Sequence, residues 1–429
     1  MTKKFKLSLA IQILIALFLG IIFGLVLMKT GHVDFANSYL KPLGQIFLNL
    51  LKFVVVPLVL TSIIDGVISL KDIRKVGTIG LSTIIYYALT TAFAVAGGLL
   101  FANLFKGTFQ LLQTTNLKFD PGKATSFMST LVGLFPKNVL GPLVEANMLQ
   151  TIVISLLIGF AIIIAKEKGT PLAKINRSIE DIFMIIMEMI VKISPYAVFC
   201  LITPVIAANG AQVIGSLTMV LLAAYIAYIV HLTVVYSFTV KALGKTSPRK
   251  FFQALMPAMI FAFSSASSVG TLPINASCLE KNLKIRKDIV SFVLPLGATI
   301  NMDGTAIYQG VCAVFIAACY GIDLSASQLL TIVLTATLAS IGTAGTPGSG
   351  MIMLAMVLQS VGLPVEGIAL VAGIDRIFDM GRTVVNITGD ASCAVIVNRR
   401  ETLRELRAAA AHAETSADKN DNQSETVTD

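Results

Sequence analysis

Five stretches of this 429-residue chain contain no Asp, Glu, Lys or Arg: residues 7–28, 76–105, 193–240, 254–279 and 324–365. About 20 consecutive apolar residues cross a bilayer as a helix, so each run is long enough to span, and two are too long to span only once. Apolar residues make up 55% of the chain and charged residues only 13%, against roughly 25% charged in soluble domains. Soluble, disordered and fibrous classes are excluded. The sequence reads as an all-α polytopic membrane protein.

The formal net charge is +9. In a soluble domain that would point to nucleic acid, but here the basic residues sit in short loops between apolar runs. Their reading is topological: they hold loops on the cytoplasmic side, and no nucleic-acid partner is expected. Cys200, Cys278, Cys312, Cys319 and Cys393 lie in or beside apolar runs without CxxC or His pairs. They read as packing residues, neither a disulfide framework nor a metal site. The first run is long for a signal-peptide core and no A-x-A-like site follows, so it is taken as the first span.

Spans are expected at roughly 7–29, 42–70, 76–105, 145–165, 180–206 and 212–240. Lys3, Lys4 and Lys6 place the N-terminus in the cytoplasm. Every second loop is then basic: Lys71, Arg74 and Lys75; Lys166, Lys168, Lys174 and Arg177; Lys241, Lys245, Arg249 and Lys250. Run 254–279 breaks this alternation, because Lys281, Lys284, Arg286 and Lys287 make its far flank basic too. Its middle, Ser264 to Pro273, is poor helix and good turn. A re-entrant hairpin entering from the cytoplasm satisfies both flanks. A further span, 288–320, leads out to the non-basic Gly321-Ile322-Asp323. Run 324–365, broken at Ser340 to Gly350, reads as a second hairpin entering from outside. A last span, about 368–398, returns to Arg399 and Arg400, and the tail from 401 is expected to be disordered. The total is eight spans and two re-entrant hairpins. Paired, interrupted apolar segments of opposite entry mark a transporter site near mid-membrane.

The last span carries Asp375, Asp379, Arg382, Asn386 and Asp390 at intervals of four, three, four and four residues. At about 100° per residue they form one stripe under about 90° wide; Arg376 lies off it. Intramembrane charge is costly and marks function by default. A plain Asp379–Arg382 pair would explain two of these residues, not five. Arg382 offers a planar fork for a carboxylate, and Asp379 an acceptor for an ammonium group. Asn386 and Asp390 add hard oxygen donors for a small cation. The seventh span contributes Gly297-Ala-Thr-Ile-Asn-Met-Asp-Gly-Thr305, in which glycine, Asn301 and Asp303 favour unwinding. Freed carbonyls beside Asn301 and Asp303 suit a cation cage.

Four segments, SSASSVGTLP (264–273), GATINMDGT (297–305), ASIGTAGTPGSG (339–350) and DMGRTVVNITGD (379–390), resemble the dicarboxylate/amino acid:cation symporter family, which includes archaeal aspartate transporters and animal excitatory amino acid transporters. The resemblance covers about residues 5–400. It implies a homotrimer and inverted repeats. Scaffold segments would be 1–75 and 106–206, transport segments 76–105 and 207–400, and 401–429 a cytoplasmic tail. The transport domain would move like an elevator with the outer hairpin as gate. The resemblance also implies a substrate pocket of Ser267, Ser268, Thr305, Thr343, Gly345, Gly350, Asp379, Arg382, Thr383 and Asn386. In it, Arg382 would hold the side-chain carboxylate, Asp379 the amino group and Ser268 the main-chain carboxylate. One sodium site would use Gly297, Asn301, Asn386 and Asp390. A second would use Thr299, Ser340, Ile341 and Thr343, and a third Tyr87, Thr90, Thr91, Asn301 and Asp303.

The chain departs from its relatives in one respect. Archaeal members carry an arginine where Ala266 stands, and animal members one where Met380 stands. The resemblance leaves open whether Arg376 takes that supporting role. Dicarboxylate relatives lack the aspartate of Asp379, and neutral amino acid relatives lack the arginine of Arg382. The expected activity is therefore Na⁺-coupled import of L-aspartate and/or L-glutamate across the cell membrane, with both termini cytoplasmic and no enzymatic step. Alternatives are a proton-coupled glutamate/aspartate or C4-dicarboxylate symporter, an ion or anion channel, and an intramembrane enzyme. The enzyme reading is weak, because His231, a histidine within a span, has no carboxylate near it in sequence.

Overall fold

Apolar runs with few Ser, Asn or Asp give the backbone no local partner other than itself, and the result is helix throughout. The structure is a computed structural model describing residues 9–69, 78–111, 132, 135–145, 147–210, 212–340 and 349–425; no strand occurs among them. The first helices are α1 (Leu9–Thr30), α2 (Lys41–Ser69), α3 (Thr78–Phe105), α4 (Met148–Ala165), α5 (Thr170–Lys192) and α6 (Ser194–Asn209). Next comes α7 (Gln212–Val230), prolonged by a π-helical segment, His231–Tyr236, and a final turn, Ser237–Ala242. Then follow α8 (Pro248–Ser265), α9 (Ser268–Asn282), α10 (Lys287–Ile300), α11 (Asp303–Cys319), α12 (Ala326–Ala339), α13 (Ser349–Ser360) and the 51-residue α14 (Asp375–Glu425).

Five helical stretches among the described residues are long and apolar enough to cross a membrane: Ile11–Thr30, Gly80–Thr108, Gln150–Met187, Val213–Ala242 and Lys287–Cys319. Shorter apolar helices, Val56–Ile68, Ser194–Asn209, Ala326–Ala339 and Ser349–Ser360, accompany them. The pattern is consistent with a polytopic membrane protein. Outer helices present large apolar side chains outward, among them Phe18, Phe93, Ile164 and Ile182. In hydrocarbon such a face costs nothing. By contrast every residue of α11 is buried, so the polar first turn of that helix lies deep in the fold.

α8 and α9 form a tight hairpin. Ala266 takes the left-handed conformation that ends α8, with φ of 50°. Ser267 then caps α9 by accepting from Gly270 N at 3.0 Å. The turn is narrower than the sequence suggests, because Ser268 to Pro273 already belong to α9: the serine cap stabilises a helix start that local propensity alone disfavours. α12 and α13 also pack antiparallel, since Gln328 at the start of α12 donates to Val361 O just past α13 at 3.0 Å. The stretch 341–348 between them lies outside the described residues.

Two further stretches differ in form from their expected outline. The span expected at 180–206 is two helices: α5 starts at Thr170, and the chain breaks at Ile193. Pro195, which has no N–H to give, occupies the first turn of the new helix. The tail expected to be disordered from 401 continues as helix to Glu425. Its sequence is alanine-rich with neither Gly nor Pro, which favours helix. Arg286 anchors it with hydrogen bonds to Asp288 (2.6 Å) and Glu405 (2.5 Å). All three side chains are well exposed, so Arg286→Ala should cost less than about 1 kcal/mol. A clearly larger fall in thermal midpoint would show that the tail anchor matters more than its exposure implies.

The ends of the helices sort into two groups. Lys106, after α3, meets Asp323, after α11, at 2.5 Å, and that exposed pair holds the Asp323 carboxyl below the usual carboxylate range. At the opposite end, Arg400 of α14 donates to Ser82 near the start of α3 at 2.6 Å, and Arg286 N donates to Asn398 Oδ1 at 3.2 Å.

Candidate functional site

The polar stripe of α14 faces inward. Arg382 is only 2% exposed, and Asp375, Asp379, Asn386 and Asp390 are all buried. Arg382 Nε donates to Asp379 Oδ1 at 2.8 Å. Its Nη1 and Nη2 donate to the two oxygens of Asp375 at 3.2 and 3.5 Å. The guanidinium also lies over the Tyr308 ring, 4.8 Å from the centroid, a cation–π contact strengthened by desolvation. The longer bonds of the fork show that Asp375 holds it more loosely than Asp379 holds Nε.

Arg376 does reach the hairpin. Its Nη2 donates to Ser265 O, at the end of α8, at 3.1 Å, and its Nη1 faces Asp379 Oδ2 at 3.5 Å. It therefore joins the first tip to Asp379 from a position off the stripe.

Two glycines bring neighbouring elements onto Arg382. A Cβ on Gly350, in the first turn of α13, would collide with the guanidinium. A Cβ on Gly304, in the first turn of α11, would collide with the backbone of Arg382. Gly304 N also donates to Asn386 Oδ1 at 2.7 Å. Asn386 Nδ2 faces Met302 Sδ at 3.2 Å and Thr305 Oγ1 at 3.4 Å. Thr305, Thr383 and Ser268 are buried nearby or on the same helices. The Thr383 hydroxyl bonds back to Asp379 O at 2.7 Å.

Deeper along the stripe lie two more carboxylates. The break at Asn301-Met302 separates α10 from α11. Asn301 Nδ2 bridges Asn386 O at 3.0 Å and Asp390 Oδ1 at 2.8 Å. Asp390 Oδ2 and Asn301 Oδ1 are buried with no hydrogen-bond partner. A Cβ on Gly297 would run into Asp390 and lie 2.6 Å from the Tyr87 hydroxyl. Asp303 is fully buried and accepts from Thr91 Oγ1 at 2.6 Å and Tyr236 OH at 2.8 Å, with His231 Nε2 at 3.2 Å. Among the described residues no Lys or Arg pairs with Asp303 or Asp390. Orphaned carboxylate and amide oxygens amid hydroxyls form an oxygen-rich cradle suited to a hard cation. Among the described residues no three His, Cys, Asp or Glu gather as they would around a transition metal.

Of the residues expected from sequence, the structure thus brings Tyr87, Thr91, Gly297, Asn301, Asp303, Thr305, Gly350, Asp379, Arg382, Asn386 and Asp390 into one buried polar core. Thr90 is buried, with its hydroxyl bonded back to Tyr87 O at 3.2 Å. Ser267 spends its oxygen on the α9 cap. Thr299 is exposed and bonds back to Leu296 O at 2.9 Å; Ser340 is buried and bonds to Thr337 O at 2.7 Å. Ile341, Thr343 and Gly345 fall outside the described residues.

Sequence reasoning missed the partners that come from elsewhere. Asp375 was visible on the stripe, but no pocket role was assigned to it. Tyr308 and Tyr236 gave no signal, and Gly304 was noted only as part of an unwinding motif, not for its close approach to Arg382. His231 has its carboxylate after all, 72 positions away. The π-helical segment explains how His231 and Tyr236, five residues apart, reach the same Asp303. In an α-helix they would diverge, whereas a wider turn aligns them.

The chain matches the model of the sodium:dicarboxylate symporter family over residues 9–400. It is 35% identical to the proton/sodium-glutamate symport protein of Geobacillus stearothermophilus, over 92% of this chain and 95% of that one. It is 33% identical to the proton/glutamate-aspartate symporter of Escherichia coli (strain K12), covering 93% and 94%. Similarity extends to excitatory amino acid transporter 3 of Mus musculus, 31% identical over 90% and 84%. With the buried Arg382–carboxylate core and the broken helices around it, a match of this extent means that the chain belongs to the sodium:dicarboxylate symporter family.

Proposed function

We propose that this protein is a Na⁺-coupled symporter of acidic amino acids, L-aspartate and/or L-glutamate. The observation that carries the reading is the charge balance of the core. Arg382 pairs with Asp379 at 2.8 Å and more loosely with Asp375 at 3.2 Å, beside two carboxylates, Asp303 and Asp390, that no Lys or Arg among the described residues neutralises. A buried charge left unpaired is expensive. An acidic side chain of the cargo takes the guanidinium fork from Asp375, a carboxylate-for-carboxylate exchange that leaves Arg382 paired throughout. The cargo ammonium group faces Asp379, whose Oδ2 is held only at 3.5 Å by Arg376. Ser268, Thr305, Thr383, Asn386 and Gly350 line the rest of the pocket, and Ser267, Thr343 and Gly345 are the further residues assigned to it. Sodium ions, carried as co-substrates, balance Asp390 (with Gly297, Asn301 and Asn386) and Asp303 (with Tyr87, Thr90, Thr91 and Asn301). A third ion uses Thr299, Ser340, Ile341 and Thr343.

The architecture we infer has eight spans, with α8–α9 and α12–α13 as re-entrant hairpins entering from opposite sides. The two groups of helix ends support it, because the Lys106–Asp323 and Arg400–Ser82 contacts sit where opposite membrane faces are expected. Residues 1–75 and 106–206 form the scaffold of a homotrimer in the cell membrane. Residues 76–105 and 207–400 form the domain that shuttles cargo as an elevator, and both termini are cytoplasmic.

Proteoliposomes holding the purified protein test the reading. An inward Na⁺ gradient should drive accumulation of labelled aspartate or glutamate, and Asp303→Asn should weaken its Na⁺ activation. Accumulation driven by a pH gradient in the absence of sodium would instead establish proton coupling, to which the His231–Asp303 contact and the names of several relatives also point.

A further inference from the structure

Away from the core, basic side chains converge on a cavity that shares no residue with it. It has a volume of about 250 Å³ and lies where the ends of α2 and α4 meet the start of α5. Lys166, Lys174 and Arg177 line it together with Thr170, one acidic residue, Asp65, and an apolar wall that includes Ile162. Lys174 and Arg177, three apart on α5, share one helix face. Lys166 joins them from a turn in which its own φ is 53°. A positive φ with ψ of −122° suits glycine, and a lysine there carries backbone strain. The walls are preformed: buried Asn176 of α5 donates to Thr61 O of α2 at 3.0 Å. Gly169 sits so close to Ile162 O that a Cβ would lie 2.6 Å from it.

The wall itself carries three positive charges against one negative, with Glu180 and Asp181 set behind it near Arg177 and Asp65, and the first turn of α5 adds its N–H dipoles at the rim. The cavity therefore favours an anion. Beside it, Ile164, Leu172 and Ile175 are 73%, 50% and 56% exposed, a surface that hydrocarbon covers without cost. Holding a loop in the cytoplasm needs basic residues only somewhere in that loop. It needs neither their convergence on one cavity nor a strained Lys166. We propose that this cavity binds the phosphate of an anionic glycerophospholipid, whose acyl chains lie along the apolar faces of α4 and α5. The inference rests on the chain's spanning a membrane and not on the transport reading.

Inorganic phosphate shares the chemistry, so the test separates the two sources. Full-length protein in detergent is mixed with phosphatidylglycerol or phosphatidylcholine, and bound lipid is read by native mass spectrometry. Wild type should retain phosphatidylglycerol selectively. Lys174→Gln with Arg177→Gln should weaken that retention roughly 30-fold, at the usual strength of a basic residue near anionic lipid, and Lys174→Arg with Arg177→Lys should keep it. Lys166→Gly removes a charge while relieving the turn. It should fold at least as well as wild type and bind the lipid about five-fold more weakly. Equal retention by wild type and Lys166→Gly, or no preference over phosphatidylcholine, overturns the proposal. So does displacement of the lipid by millimolar inorganic phosphate, which would mark the cavity as a site for a soluble anion.

Discussion

Replacing Arg382 by alanine is expected to abolish accumulation of aspartate and glutamate, with apparent affinity for either falling more than about a hundredfold. Removing one partner of a buried ion pair typically costs about 3–5 kcal/mol, because the other is left charged and unpaired, and about 1.4 kcal/mol is a factor of ten. Here Asp375 and Asp379 both lose Arg382, and only Asp379 keeps another cation nearby, Arg376 at 3.5 Å. The fold should suffer as well as binding, and a second variant separates the effects. Arg382→Ala combined with Asp375→Asn removes one of the stranded charges, so thermal stability should recover in part while acidic substrate remains unbound. Direct binding measured by calorimetry, alongside uptake, decides the matter. Undiminished aspartate affinity in Arg382→Ala would remove the guanidinium from the pocket altogether.

Gly304→Ala should be the most damaging change of a single methyl group. The new Cβ would lie 2.6 Å from Arg382 Cα and 2.7 Å from its carbonyl carbon. No rotamer can relieve a clash with backbone, so α11 and α14 must move apart, at about 1–3 kcal/mol for overpacking of this kind. The Gly304–Asn386 hydrogen bond of 2.7 Å would shift with them. A lower thermal midpoint and loss of uptake are expected together. Gly350→Ala is the contrast: its Cβ meets the far end of a side chain, which can swing aside. Stability should then hold while affinity falls. A wild-type midpoint and wild-type transport in Gly304→Ala would contradict the close approach of the two helices.

Much of this molecule is legible as periodicity. The helices follow from uncharged runs, and the α14 stripe follows from spacing at 3.6 residues per turn. The break at Asn301-Met302 follows from residues that release the backbone. What remained hidden depends on elements far apart in sequence. The resemblance groups Thr91 with Asp303, but Tyr236 and His231, which reach the same carboxylate from the end of α7, are not foreseen. A π-helical turn leaves no pattern in composition, so the pairing of His231 and Tyr236 on one oxygen could not be read locally. Arg376 lies off the stripe and the sequence leaves its supporting role open; its long guanidinium reaches around the helix to Ser265 O. In the tail the polar, charged composition suggests disorder, while the structure describes helix to Glu425, in keeping with its alanine content.

α14 begins at Asp375, one of the two carboxylates that pair with Arg382, and runs unbroken to Glu425. At about 1.5 Å per residue that is a rod some 75 Å long. A rod cannot shift at one end alone. Any excursion of Arg382 during turnover must therefore carry Glu405 with it, and a spin label or fluorophore near that position would record each stroke from outside the bilayer without touching the chemistry within.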